Sequence, residues 1–118
     1  VAYSGIQQRG RDTARASDVA NIVKALTAYT TDETASGGSG GTWPTTGTAA
    51  STALSTYKAA NLPATITSKL GTTTPSSSAK DVYLYTPCGT APNITGATIT
   101  YFKEQTNGTV TVKAGSGC

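Results

Sequence analysis

Histidine and methionine are absent from this chain of 118 residues, and there is one Trp, one Phe and two Cys. Without histidine, the commonest general base and the commonest metal ligand are both missing. Two cysteines with no histidine supply too few soft ligands for a zinc site. Charged residues make up only 13% of the chain, and the net charge is a mild +3. Lys58, Lys69, Lys80 and Lys103 are dispersed, so no dense basic tract for nucleic acid or anionic lipid is present. No run of 18 apolar residues occurs either, so the sequence as it stands spans no membrane. The six carboxylates form no calcium-loop spacing. The SGGSGG stretch at 36–41 lacks the Lys and the strand–helix context of a phosphate loop. Asp81 and Glu104 fall on expected strands and could face each other, and Asp32, Glu33 and Asp81 could gather round a cation, but neither set comes with a cleft signal. The chain reads as a non-enzyme with no cofactor, no metal and no catalytic residue.

What the chain does have is hydroxyls, with 24 Thr and 11 Ser, while the apolar fraction is 36%. Small β-prone residues suit exposed sheet and loops better than a large core. Such uncharged hydroxyl surfaces are common outside the cell. A disulfide between Cys88 and Cys118 is favoured over two free buried thiols, because a terminal Cys otherwise frays. It would close a loop of about 31 residues and contribute about 3–4 kcal/mol.

The size is that of one domain, 1–118. Residues 1–31 read as a single helix, about 45 Å long at ~1.5 Å per residue. Its second half carries a stripe of Val19, Ile22, Val23, Leu26 and Tyr29 at helical spacing, the expected helix–sheet core. Its first half has almost no stripe, and Gly5 and Gly10 weaken it by about 1 kcal/mol each against Ala. Arg9, Asp12, Arg15 and Asp18 alternate in sign three residues apart. They suit a solvated, self-compensating face, or a set of charges registering against neighbouring helices; the aspartates break up any nucleic-acid patch. Asp12, Asp18, Asp32 and Glu33 all read as solvated. The body should be about 30 Å across, so one end of the helix should project beyond it.

Residues 32–80 read as a loop region: a flexible SGGSGG, a Trp43-Pro44 anchor, and a short helix at about 49–61 stopped by Pro63. Residues 81–118 read as sheet, with strands at 80–86, 96–105 and 109–114. The last two are joined through a Gln105-Thr106-Asn107-Gly108 turn, because Asn-Gly tolerates positive φ. Asn93-Ile94-Thr95 and Asn107-Gly108-Thr109 match the N-glycosylation acceptor pattern, as a Thr-rich chain does by chance. The fold class is α+β, a long N-terminal helix packed on a three- to four-stranded antiparallel sheet.

Several motifs carry a family resemblance. Tyr3, the run Arg11-Asp12-Thr13-Ala14-Arg15, the pair Ser17-Asp18, the stripe Ile22, Leu26, Tyr29, and Gly40-Gly41-Thr42-Trp43-Pro44 follow one another in order. This stretch resembles the region just after the hydrophobic segment in type IV pilins and pseudopilins, over about a third of the chain. The resemblance implies a pilin-like fold, and a full-length chain in which a leader and an apolar segment of about 20–25 residues precede Val1. It implies a subunit of an extracellular cell-surface pilus serving adhesion or motility, anchored in the membrane before assembly through that segment alone, with a methylated mature N-terminus. It also implies a C-terminal disulfide such as Cys88–Cys118. Partners would be further copies, related pilins, the assembly machinery and prepilin peptidase, with no specific nucleic acid. Val1, Tyr3, Ile6, Arg9, Asp12 and Arg15 would then belong to the filament interface. The alternatives are a pseudopilin of a type II-like secretion system, which often carries calcium in place of the disulfide, and a minor pilin acting in DNA uptake or adhesion.

Overall fold

A computed structural model describes residues 2–33, 37–57, 61–90 and 93–116, with residues 2–4 described in backbone only. Helix α1 runs from Ala2 to Thr31. It is followed by α2 (Gly47–Thr56), the four-residue α3 (Ala64–Thr67), and strands β1 (Leu70–Gly71), β2 (Tyr83–Cys88), β3 (Gly96–Lys103) and β4 (Gly108–Gly115). The sheet order is β1-β2-β3-β4. Strands β2, β3 and β4 form an antiparallel meander, while β1 pairs with β2 in parallel. The sheet is therefore mixed, which corrects the wholly antiparallel expectation. Residues 72–82 between the two strands form a connection long enough to carry the chain back, so that β2 runs alongside β1 in the same direction.

One face of the meander carries Tyr83 and Tyr85 on β2, Ala97, Ile99 and Tyr101 on β3, and Val110, Val112 and Ala114 on β4. Register sets Tyr85 beside Ile99, Ile99 beside Val112, and Tyr101 beside Val110. Helix α1 lies on this face. Val19, Ile22 and Leu26 are fully buried, with Val23 and Tyr29 half-buried against the same cluster. Each large apolar side chain taken out of water contributes about 1.5–3 kcal/mol before entropy is counted. The opposite face carries Thr86, Thr98, Thr100, Thr109 and Thr111, which places part of the hydroxyl excess on a half-exposed sheet surface.

Backbone hydrogen bonds tie residues 38–40 of the connecting region to the end of α1. Gly38 N–H donates to Glu33 O at 3.0 Å, Ser39 N–H to Tyr29 O at 2.9 Å, and Gly40 N–H to Asp32 O at 2.8 Å. These bonds fold residues 38–40 back over the C-terminus of α1 and satisfy carbonyls that a helix end leaves open. Residues 38–40 of the glycine-rich segment thus close over the end of a helix. Trp43 is buried, and the Tyr85 hydroxyl donates to Pro44 O at 2.7 Å, so the Trp-Pro pair ties this loop to β2. Gly115, at φ +73°, packs so closely on Trp43 that a Cβ there would lie 2.5 Å from its ring.

Helix α2 starts two residues earlier than expected, behind an N-cap in which Thr46 Oγ1 accepts from Ala49 N–H at 3.0 Å. It stops at Thr56 because Tyr57 leaves the helical region at φ −81°, ψ 94°. The expected continuation through 58–60 lies outside the described residues. The stretch expected as a loop at 64–80 contains α3 and β1. Gly47 meets Gly71 O, an approach that leaves no room for a side chain between α2 and β1.

Candidate functional site: the projecting helix and its anchor

The molecule measures 52 × 27 × 19 Å, and a 30-residue α1, at about 45 Å, accounts for the long axis. Burial along α1 divides it. Asp12, Arg15, Val19, Ile22 and Leu26 are all buried, at alternating spacings of three and four. N-terminal to them, Ile6 is 65% exposed, and Arg9 and Gly10 are exposed as well. Ideal Cβ atoms at Gly5 and Gly10 would meet nothing within 4 Å. Among the described residues, Ile6 is the large hydrophobic side chain left in solvent.

The charge ladder does not behave as a solvated face. Asp12 accepts from the backbone N–H of Glu104 at 2.8 Å and of Gln105 at 3.1 Å, both in the turn joining β3 to β4. Arg15 donates to Glu104 Oε2 at 2.8 Å, to Asp81 Oδ1 at 3.2 Å and to Asp12 Oδ1 at 3.3 Å. Arg11 grips the same Glu104 through two nitrogens, at 2.7 and 3.0 Å. Lys80 Nζ lies 3.7 Å from Glu104 Oε1. Three cations, Arg11, Arg15 and Lys80, thus face three carboxylates, Asp12, Asp81 and Glu104. The cluster is close to self-neutral and serves to fasten the helix to the hairpin turn. Asp12 and Arg15, expected at a filament interface, are instead buried against the β3–β4 turn. Arg9 stays exposed; Val1 and the side chain of Tyr3 lie outside the described residues.

The electrostatics follow from this packing. Glu104, with its side chain only 6% exposed, has its carboxyl pushed down to about 2, first by hydrogen bonding to Arg11 and then to Arg15. The same contact raises Arg11, while Arg15 is raised by Glu104 and Asp81 against the opposing effect of its burial. Arg15 Nε is the one buried side-chain nitrogen or oxygen among the described residues without a hydrogen-bond partner. A second lock sits further along the helix. The Tyr83 hydroxyl donates to Asp18 Oδ2 at 2.8 Å, and burial, followed by Asp18, pushes its phenol well up, so it remains a neutral donor. A third closes the helix end, where Tyr57 donates to Asp32 Oδ2 at 2.8 Å and stacks edge-on against Tyr29, ring centroids 5.5 Å apart.

The expected carboxylate pairings resolve differently. Asp81 and Glu104 do converge, but on Arg15 rather than on a substrate-sized gap, and neither lies on a strand, since Asp81 precedes β2 and Glu104 is in the turn after β3. Asp18 and Asp32 are taken up by tyrosines. Among the described residues, no group of three His, Cys, Asp or Glu could hold a metal ion. Clefts of about 280 and 120 Å³ flank the anchor, the first between α1 and Tyr101, the second between Arg15 and Lys69. Cys88 ends β2 and is disulfide-bonded; its expected partner Cys118 lies outside the described residues. No helix among the described residues is long and apolar enough to cross a membrane.

No protein-family model, curated protein or solved structure matches this chain.

The sequence held a usable signal for the anchor. Positions 12, 15, 19, 22 and 26 continue one another at spacings of three and four, so the apolar stripe runs on into Asp12 and Arg15. Polar residues in line with a core stripe are candidates for a buried polar lock. Arg11 and the turn amides gave no such sign.

Proposed function

We propose that this chain is a structural subunit of an extracellular filament of the type IV pilin kind, assembling through the start of α1. The observation that carries the reading is the exposed Ile6, on a helix that runs beyond its anchor at Arg11–Arg15. A helix start with an apolar side chain in water and two open glycines gains little within its own domain; neighbouring helices would bury it. The α+β architecture, a long helix laid on a sheet, is compatible with a pilin-like fold. The ordered motifs from Tyr3 to Pro44 support the same reading, and the disulfide at Cys88 favours a pilin over a pseudopilin. With Asp12 and Arg15 committed to the hairpin, the interface reduces to the exposed residues near Ile6 and Arg9.

The test uses the full coding sequence in a cell able to assemble such filaments. A leader and an apolar run with an early Glu should precede Val1. Filaments should be visible by electron microscopy with the native chain and lost with Ile6→Asp, while the isolated domain of that variant keeps its thermal midpoint. Undiminished filaments with Ile6→Asp, or an upstream sequence without an apolar run, would refute the reading.

A further inference from the structure

Asn107 occupies the last position of the turn between β3 and β4, exposed and at φ 50°. Gly108 follows and opens β4. Apart from its two chain neighbours, an ideal Cβ on Gly108 would come no closer than 3.8 Å to a heavy atom, Thr106 O, so there is open space at residue 108. The chain has three other asparagines, and they precede Ile22, Leu62 and Ile94, whose side chains shield the following amide. With no side chain on residue 108, the next backbone nitrogen can reach the Asn107 side-chain carbonyl carbon, and the proximity of the two groups accelerates such intramolecular attack strongly.

We propose that Asn107-Gly108 is a site of spontaneous deamidation and isomerisation whose product loosens α1 from the hairpin. The Gly108 backbone nitrogen gives up its proton and bonds to Asn107 Cγ. The side-chain nitrogen leaves as ammonia, closing a five-membered succinimide. Water then opens the ring at either carbonyl. Opening at Cγ gives an aspartate; opening at the main-chain carbonyl gives an isoaspartate, with the chain now routed through Cβ and Cγ. Either way the balance is Asn plus water to acid plus ammonia, and no oxidant or other reagent is required.

The consequence comes from where this turn sits. Its first two amides, Glu104 N–H and Gln105 N–H, are the donors that hold buried Asp12. Asn107 N–H closes the turn on Glu104 O at 3.2 Å, and Lys103 stands opposite Gly108 in the ladder. One extra main-chain carbon between 107 and 108 cannot be accommodated with that closure and that register both kept. The turn amides are displaced from Asp12, and the new carboxylate arrives in the turn that already carries Glu104. The anchor of α1 weakens without any change in α1 itself.

The test ages the purified full chain in mildly alkaline buffer at a temperature well below its midpoint, beside Gly108→Ala. That variant is tolerated, since Gly108 has neither positive φ nor a close neighbour. Peptide mass spectrometry should find isoaspartate at 107 and not at 21, 61 or 93, with Gly108→Ala slowed several-fold. The aged native chain should melt about 4–8 °C below the aged Gly108→Ala chain. Asn107→Asp, which adds the charge without the extra carbon, should stay near the fresh value. In an Asp12→Ala background, ageing should move the midpoint little, because the grip is already lost. Intact Asn107 after ageing would overturn the proposal, as would an unchanged midpoint once 107 is largely isomerised. An Asp12→Ala chain that loses as much on ageing would overturn the link to α1.

Discussion

Asp12→Ala is the sharpest probe of how α1 is held. The substitution removes two charge-assisted hydrogen bonds to turn amides and one contact with Arg15, from a side chain that is only 7% exposed. Bonds to a charged group are each worth about 1.5–3 kcal/mol, and the two amides share one carboxylate, so their effects do not add fully. Arg15 keeps Glu104 and Asp81, which spares it the full penalty of about 3–5 kcal/mol for stranding a buried charge. The net expectation is a loss of about 3 kcal/mol. For a domain of this size that lowers the midpoint by about 12 °C, at roughly 4 °C per kcal/mol. Differential scanning calorimetry or urea unfolding reads it directly, with exposed Arg9→Ala as the control, expected within about 0.5 kcal/mol of the native chain. An Asp12→Ala chain within about 1 kcal/mol of Arg9→Ala would show that the turn amides find water as good a partner, and that the cluster does not hold the helix.

Acid should weaken the same anchor from the other side. Glu104 has its folded carboxyl depressed from an ordinary 4.5 to about 2, so its stabilising contribution is complete above about 4.5 and is lost as pH falls towards 2. Midpoints measured down that range should fall less steeply in Glu104→Gln, which begins lower and has no such proton to take up. Gly47→Ala should destabilise by about 1–3 kcal/mol in urea unfolding, since its methyl group would collide with Gly71 O between α2 and β1. Gly10→Ala should stabilise by about 0.5–1 kcal/mol, since its methyl group meets nothing and the residue is helical; a loss of helical circular dichroism on this change would contradict a folded helix at that position.

Much of the architecture was legible because it is periodic. The stripe from Val19 to Leu26 announced the docked helix, the alternation in β2, β3 and β4 announced the meander, and Asn107-Gly108 announced the turn. What escaped was short or non-periodic. Strand β1 has two residues and α3 four, too few for any period to show. Gly37, Gly40 and Gly41 take positive φ to bring the loop over the end of α1, a use that composition alone cannot separate from looseness. Asp12 and Arg15 escaped because alternating charge three residues apart is the ordinary pattern of a wet helix face. Their partners outside the helix lie 66 to 93 positions later, where no local pattern points back to them.

That separation has a temporal side. Arg11 and Glu104 are 93 residues apart, as are Asp12 and Gln105. On a ribosome, which adds residues at about 5–20 per second, Asp12 and Arg15 wait several seconds before their turn is even made. Until then a dry seat would leave them uncompensated, so early docking of the N-terminal half of α1 is disfavoured. The β3–β4 hairpin must close first, and its closure is local and quick. Helix α1 is thus made well before the turn that seats its N-terminal half, and the cluster at Glu104 forms only once the β3–β4 hairpin has closed.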